Sequence, residues 1–111
     1  MTKELTKQEL VELYNSYLDG TLSNEQEGDL WEGIYYFSNS FLCYIQGTDD
    51  TKQDILEDLI YDLMTMNSYY KPAKDFKQLT NIFVSKLKHC ARRYHNWENK
   101  EASNGKDQTK I

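Results

Sequence analysis

The sequence predicts an all-α protein, a compact four-helix domain, and three observations carry that prediction. Apolar residues recur every three or four positions through most of the chain, the period of a buried helix face. Four places carry a side-chain cap signal, and two of the segments they open run to a glycine. With five Gly, one Pro and no alternating runs set off by turns, nothing marks a sheet. A chain of 111 residues can build one core without disulfide or metal staples.

Thr6 and Glu9 form a capping-box pair, a side-chain acceptor with a carboxylate three residues on. A first helix is expected over residues 7–19, with Leu10, Tyr14, Tyr17 and Leu18 on one stripe and Gly20 stopping it. Ser23 and Gln26 repeat the signal and open a second helix over residues 24–46, ending at Gly47. Its stripe is Leu30, Ile34, Phe37, Phe41 and Ile45, widened by Trp31, Tyr35 and Leu42, enough to pack on two neighbours. Thr48-Asp49-Asp50 caps a third helix over residues 51–66. Ile55, Leu59, Leu63 and Met66 form its buried stripe, and Leu56 and Ile60 extend it. Residues 67–74 form a turn, because Pro72 biases Lys71 away from helical angles. Asp75 and Gln78 cap a fourth helix that closes near His95 or a turn beyond. Phe76, Leu79, Phe83, Leu87, Cys90 and Tyr94 fall within about 40° of one line on it, the cleanest period in the sequence. Residues 1–97 thus read as a single helical domain and residues 98–111 as a polar, disordered tail.

Charge divides the chain at the proline turn. Residues 1–70 carry 3 Lys against 14 Asp or Glu, a net of −11, and residues 71–111 carry 10 Lys or Arg against 4 acids, a net of +6. An acidic helix joined to a basic one points to a bridge between a protein and a nucleic acid. No stretch approaches the roughly 18 apolar residues of a membrane span, so no membrane partner is expected. The N-terminus has no apolar leader, which predicts a cytoplasmic protein.

Motifs for catalysis are missing. No glycine-rich phosphate loop, nucleophile elbow or H-E-x-x-H occurs, and no His and carboxylate form a convincing pair, so an enzyme is not expected. Cys43 and Cys90 sit on expected apolar faces as buried reduced thiols, without the close spacing of zinc ligands. His89 and Cys90 point to different sides of a helix, so neither a metal nor another cofactor is expected.

Candidate binding residues lie on the third and fourth helices. The carboxylates of Asp54, Glu57, Asp58 and Asp62 make an acidic side, for which solvated surface is the default reading. Opposite the stripe of the fourth helix lie Lys77, Asn81, Ser85, Lys88 and Arg92, with His95 and Asn96 at the edge and Lys86 and Arg93 on one flank. Basic helix faces are also solvated by default. Here the cations concentrate in an otherwise acidic protein and share their face with hydrogen-bonding side chains. Tyr94, His95 and Trp97 add stacking surface, a mixture that suits phosphate and unpaired bases.

Residues 57–64 (Glu-Asp-Leu-Ile-Tyr-Asp-Leu-Met), the Tyr-Tyr-Lys-Pro turn and residues 76–93, opening with Phe76 and closing on Arg92-Arg93, resemble region 2 of bacterial sigma factors. The triplet Lys52-Gln53-Asp54 is similar to the start of this helix in the short late-gene sigma factors of T-even phages. The resemblance covers about forty residues well, and the two upstream helices by length and helical character alone. It implies that Asp54, Glu57, Asp58, Tyr61 and Asp62 face the clamp helices of the largest subunit of bacterial core RNA polymerase. It also implies that Lys77, Asn81, Lys86, Lys88, Arg92 and Arg93 face the −10 promoter element. Tyr61 stands where the family usually has Gln, and its strand-opening tryptophan pair falls at Ile82 and Phe83. Nothing corresponds to region 4, so a second factor would supply upstream promoter contact.

The function implied is a sigma-like initiation factor bridging core RNA polymerase and promoter DNA. Two alternatives stand beside it: a protein that occupies the sigma site and inhibits host transcription, and a helical interaction module unrelated to transcription. The last four residues, Gln108 to Ile111, are a fragment of a sliding-clamp-binding pattern without its aromatic end.

Overall fold

In the computed structural model, which describes residues 5–109 and the side chains of residues 5–96, the chain is all α. Its helices are α1 (Lys7–Leu18), α2 (Asn24–Tyr36), the short α3 (Asn39–Leu42), α4 (Asp49–Thr65) and α5 (Phe76–Thr109), with a 3₁₀ turn over Asn67–Tyr69. Both capping boxes form as the sequence predicts. Thr6 Oγ1 accepts from Glu9 N–H and Glu9 Oε1 from Thr6 N–H, and Ser23 and Gln26 do the same. At α5 the exchange shifts by one residue. Asp75 accepts from Gln78 N–H, while Gln78 reaches back to Lys74 N–H. Gly20 and Gly47 hold φ of 74° and 139°, the two positive values among the described residues; Gly20 follows the end of α1 as expected, whereas Gly47 lies in the loop beyond α3, which ends at Leu42.

The expected second helix is corrected to two pieces. After Phe37 the chain tightens, Ser38 N–H donating to Tyr35 O at 3.2 Å, and α3 starts from a fresh turn. Ser38-Asn39-Ser40 supplies the reason, since short polar side chains compete with the helical ladder. The break lets Phe41, Leu42 and Ile45 all be buried and leaves Cys43 exposed, which corrects its expected burial. A second correction lies at the other end, where the backbone of α5 stays helical to Thr109 instead of closing near His95. The segment has no proline to end the helix. The side chain of Trp97 and the Gln108–Ile111 fragment lie outside the described side chains.

The core is one cluster. Phe83 of α5 sits at its centre, fully buried, with Tyr14 of α1 and Phe41 of α3 edge-on to its ring at 5.6 and 5.4 Å. Edge-to-face packing of this kind adds about 0.5–1.5 kcal/mol per pair beyond area burial. Of the predicted α5 stripe, Leu79, Phe83, Leu87 and Cys90 are buried, and Phe76 and Tyr94 are half-buried. Gly33 brings α2 close to α1, since a Cβ there would run into Leu5 and Leu10.

α1 also fastens the connector between α4 and α5. Tyr14 Oη donates to Lys71 O at 2.6 Å. The Asn15 amide donates to Ala73 O at 2.7 Å and accepts from Ala73 N–H at 2.8 Å. One side chain thereby satisfies both backbone groups of a residue that no helix serves.

Candidate nucleic-acid and protein interfaces

The surface of α5 follows from its buried phase. Between Asp75 and Glu98 the chain carries three Lys, two Arg and two His and no carboxylate. Lys77, Asn81, Ser85, Lys88 and Arg92 are exposed, as the period of the apolar stripe requires. The side chains of Lys77, Lys88 and Arg92 make no hydrogen bond or ion pair with another described residue. Their charge faces solvent, positioned by a helix whose other side is core.

Beside this row an open groove of about 480 Å³ runs between the connector and α5. Tyr69 and Lys71 form one wall, and Gln78, Asn81, Ile82, Ser85 and Lys86 the other. Tyr69 is 67% exposed, so its ring is available to a ligand. An aromatic ring, two ammonium groups, two amides and a hydroxyl, with no acid among them, suit an anionic ligand carrying a flat ring. Tyr69, Lys71 and Gln78 were outside the sequence-derived set, although the Tyr-Tyr-Lys-Pro turn displayed the aromatic and basic pair.

Arg93 turns the other way, toward α4, while Lys86 at the edge of the groove reaches Tyr70 of the connector. Arg93 Nη2 donates to Asp58 Oδ2 at 3.0 Å and lies 3.7 Å from Cys90 Sγ. Lys86 Nζ lies 4.9 Å from the centre of the Tyr70 ring, and Tyr70 Oη donates to Asp62 Oδ2 at 2.9 Å. Tyr94 Oη makes a longer contact of 3.5 Å to Asp54 Oδ2. Asp54, Asp58 and Asp62 are spaced four residues apart on one line of α4, and each meets a side chain of α5 or the connector. Asp58 and Asp62, expected in solvent, are half-buried. On a helical wheel Asp62 lies about 20° from Ile55, at the border of the buried arc. The groups between these helices are shifted accordingly. Burial, and then the hydrogen bond to Asp62, push the Tyr70 phenol well above its ordinary value. Burial, with Asp58 nearby, pushes the Cys90 thiol up to about 11.

Two residues of the acidic set remain outward. Glu57 and Tyr61 are exposed on the far side of α4, and Met64 follows on the same face. The chain brings Tyr35 of α2 to this patch, where burial and the Glu57 charge raise its phenol. Tyr61 is 66% and Met64 47% exposed. Tyr and Met are enriched at protein interfaces, and the carboxylate favours a cationic partner. Tyr35 was missed because it was read only as widening the apolar stripe of the second helix, and Met64 was assigned to no face.

Among the described residues no three His, Cys, Asp or Glu side chains gather to hold a metal ion, and no helix is long and apolar enough to cross a membrane. No protein-family model matches the chain, and no curated protein or solved structure matches it either.

Proposed function

We propose that the chain is a sigma-like factor that joins bacterial core RNA polymerase to promoter DNA. The outer face of α4, with Glu57, Tyr61, Met64 and Tyr35, docks on the clamp helices of the largest subunit. Lys77, Asn81, Lys88 and Arg92 on α5 meet the DNA backbone near the −10 element. Asp54, Asp58, Asp62, Lys86 and Arg93 stand between these surfaces. The observation that carries the reading is the exposed, carboxylate-free cationic row of α5 in a protein of net charge −5. Such a row supplies sequence-independent affinity for phosphate, and the adjoining groove adds Tyr69 as a stacking surface for an unpaired base. The experiment is co-elution with bacterial core polymerase followed by initiation from an AT-rich promoter. Binding with initiation supports the proposal, and failure to bind polymerase ends it.

One observation favours the inhibitor reading as a second choice. Of the positions where the resemblance places the strand-opening tryptophan pair, Ile82 is half-buried and Phe83 is wholly inside the core. A side chain locked between Tyr14 and Phe41 is not available to a base. Polymerase binding that blocks initiation by the host factor would select that reading.

A further inference from the structure

The ion pair between Asp58 and Arg93 joins the acidic and the basic helix between the two proposed surfaces. Arg93 is 53% exposed and Asp58 41%, so the pair sits at the mouth of the α4–α5 seam, open to competitors from either side. The other groups facing it repeat the arrangement, with Asp62 holding Tyr70 and Tyr70 lying against Lys86. Arg93 and Lys86 are two of the five cations that α5 carries before Glu98; Arg93 pairs with the acidic helix, and Lys86 rests on Tyr70 of the connector. The outer Lys77, Lys88 and Arg92 have no such partner among the described residues.

We propose that Asp58 is an internal competitor for Arg93, withholding that guanidinium from phosphate until a cationic partner takes the Asp58 carboxylate. The inference rests on the reading that α5 meets a polyanion. A carboxylate and a phosphate oxygen occupy the same fork of an arginine, so the two contacts are mutually exclusive. A partner helix that pairs with Asp58 frees Arg93 for the nucleic acid. By linkage, phosphate bound to Arg93 frees Asp58 and raises the partner's affinity by the same factor. The two surfaces are coupled through one shared pair, with no change of fold. An ion pair this exposed is weak, so the coupling is small, roughly two- to fivefold.

The test uses the full chain on immobilised heparin and on a short DNA duplex, comparing Asp58→Asn with Glu57→Gln. Each substitution removes one negative charge from neighbouring positions of α4, but only the first releases Arg93. Asp58→Asn should bind both polyanions roughly two- to fivefold more tightly than Glu57→Gln. Its log-salt slope on duplex should be steeper by about 0.9, the signature of one added phosphate contact. Placing Arg93→Ala in both backgrounds should erase the difference. Equal behaviour of the two single variants overturns the proposal, and so does a difference that survives Arg93→Ala. Heparin carries the anionic chemistry without a promoter. A heparin difference in a protein that neither initiates nor blocks transcription would therefore keep the competitor and sink the transcription reading. Without a heparin difference the competitor fails, whatever the transcription assay returns.

Discussion

The two long charged helices treat their charges in opposite ways. Three of the four acids singled out on α4, Asp54, Asp58 and Asp62, point into the seam and meet Tyr94, Arg93 and Tyr70. Three of the five cations that α5 carries before Glu98, Lys77, Lys88 and Arg92, point out, and their side chains meet nothing among the described residues. A run of like charge on a helix therefore does not say whether it is committed inside the fold or left for a partner. Its angle to the apolar stripe does. Asp62 at the border of the buried arc is committed, while Lys88, opposite the stripe, is free.

The comparison depends first on the phase of α5, and the largest expected effect tests that phase. Phe83→Ala removes the ring on which Tyr14 and Phe41 pack. A cost of about 3–5 kcal/mol is expected, read by chemical denaturation. That is much of the stability of a domain this size. A variant as stable as the parent would mean that Phe83 is not central, and the outer row of cations would lose its geometric basis.

The next effect sharpens the α4 side. If the inward acids are committed and the outward patch is free, Glu57→Lys combined with Tyr61→Ala should lower core-polymerase affinity by about 2 kcal/mol or more. Far-ultraviolet circular dichroism should stay unchanged, because both side chains are exposed. Asp58→Lys should instead cost stability as well, since it sets two cations against each other at Arg93. Retained co-elution of the Glu57 and Tyr61 double variant would remove this patch as the docking surface.

Alkaline pH probes the seam itself. The folded state holds the Cys90 proton up to about 11, against an ordinary value near 9.0, and burial keeps the Tyr14 and Tyr70 phenols protonated as well. Above pH 9 the unfolded chain gives up the thiol proton while the folded chain keeps it. Stability is then fully present below the unfolded value and falls as pH rises. Each such proton contributes about 1.4 kcal/mol per pH unit. From pH 10 the phenols add to the slope. Cys90→Ala should make the decline between pH 9 and 10 shallower by one proton, and an unchanged slope would show that the thiol ionises freely in the fold.

How much of this the sequence displayed depended on the range of the interaction. The boxes at Thr6 and Ser23, the stop at Gly20 and the stripe of α5 are local patterns, and they form where expected. The break after Phe37 stayed hidden because Phe37, Phe41 and Ile45 keep helical spacing across it, and Ser-Asn-Ser is only a weak stop. Asn15 gave no signal at all. Its bonds to Ala73 span 58 residues, and nothing in a polar residue of a first helix names a partner that far along the chain. The seam lay between these cases. The spacing of Asp54, Asp58 and Asp62 was visible, but their partners come from another helix.

The smallest effect on the fold belongs to the outer row, where the functional consequence is most specific. Lys88→Ala with Arg92→Ala touches two exposed side chains that hold no partner among the described residues, so stability should change by less than about 0.5 kcal/mol. Free in solution the protein is acidic overall, and its −11 half repels DNA. Under the proposed function polymerase would cover that half, leaving the α5 row to set the salt dependence of promoter binding. Each lost phosphate contact lowers the log-salt slope by about 0.9, so the pair should lower it by roughly two. Polymerase binding should be unaffected, because the proposed docking face is the far side of α4. The seam separates the two results, since Arg93 remains on Asp58 in this variant and the competitor is intact. If salt slope and promoter activity both survive the double substitution, the outer cations of α5 are only solvated surface. The blocking role would then be the better account of a chain that still binds polymerase.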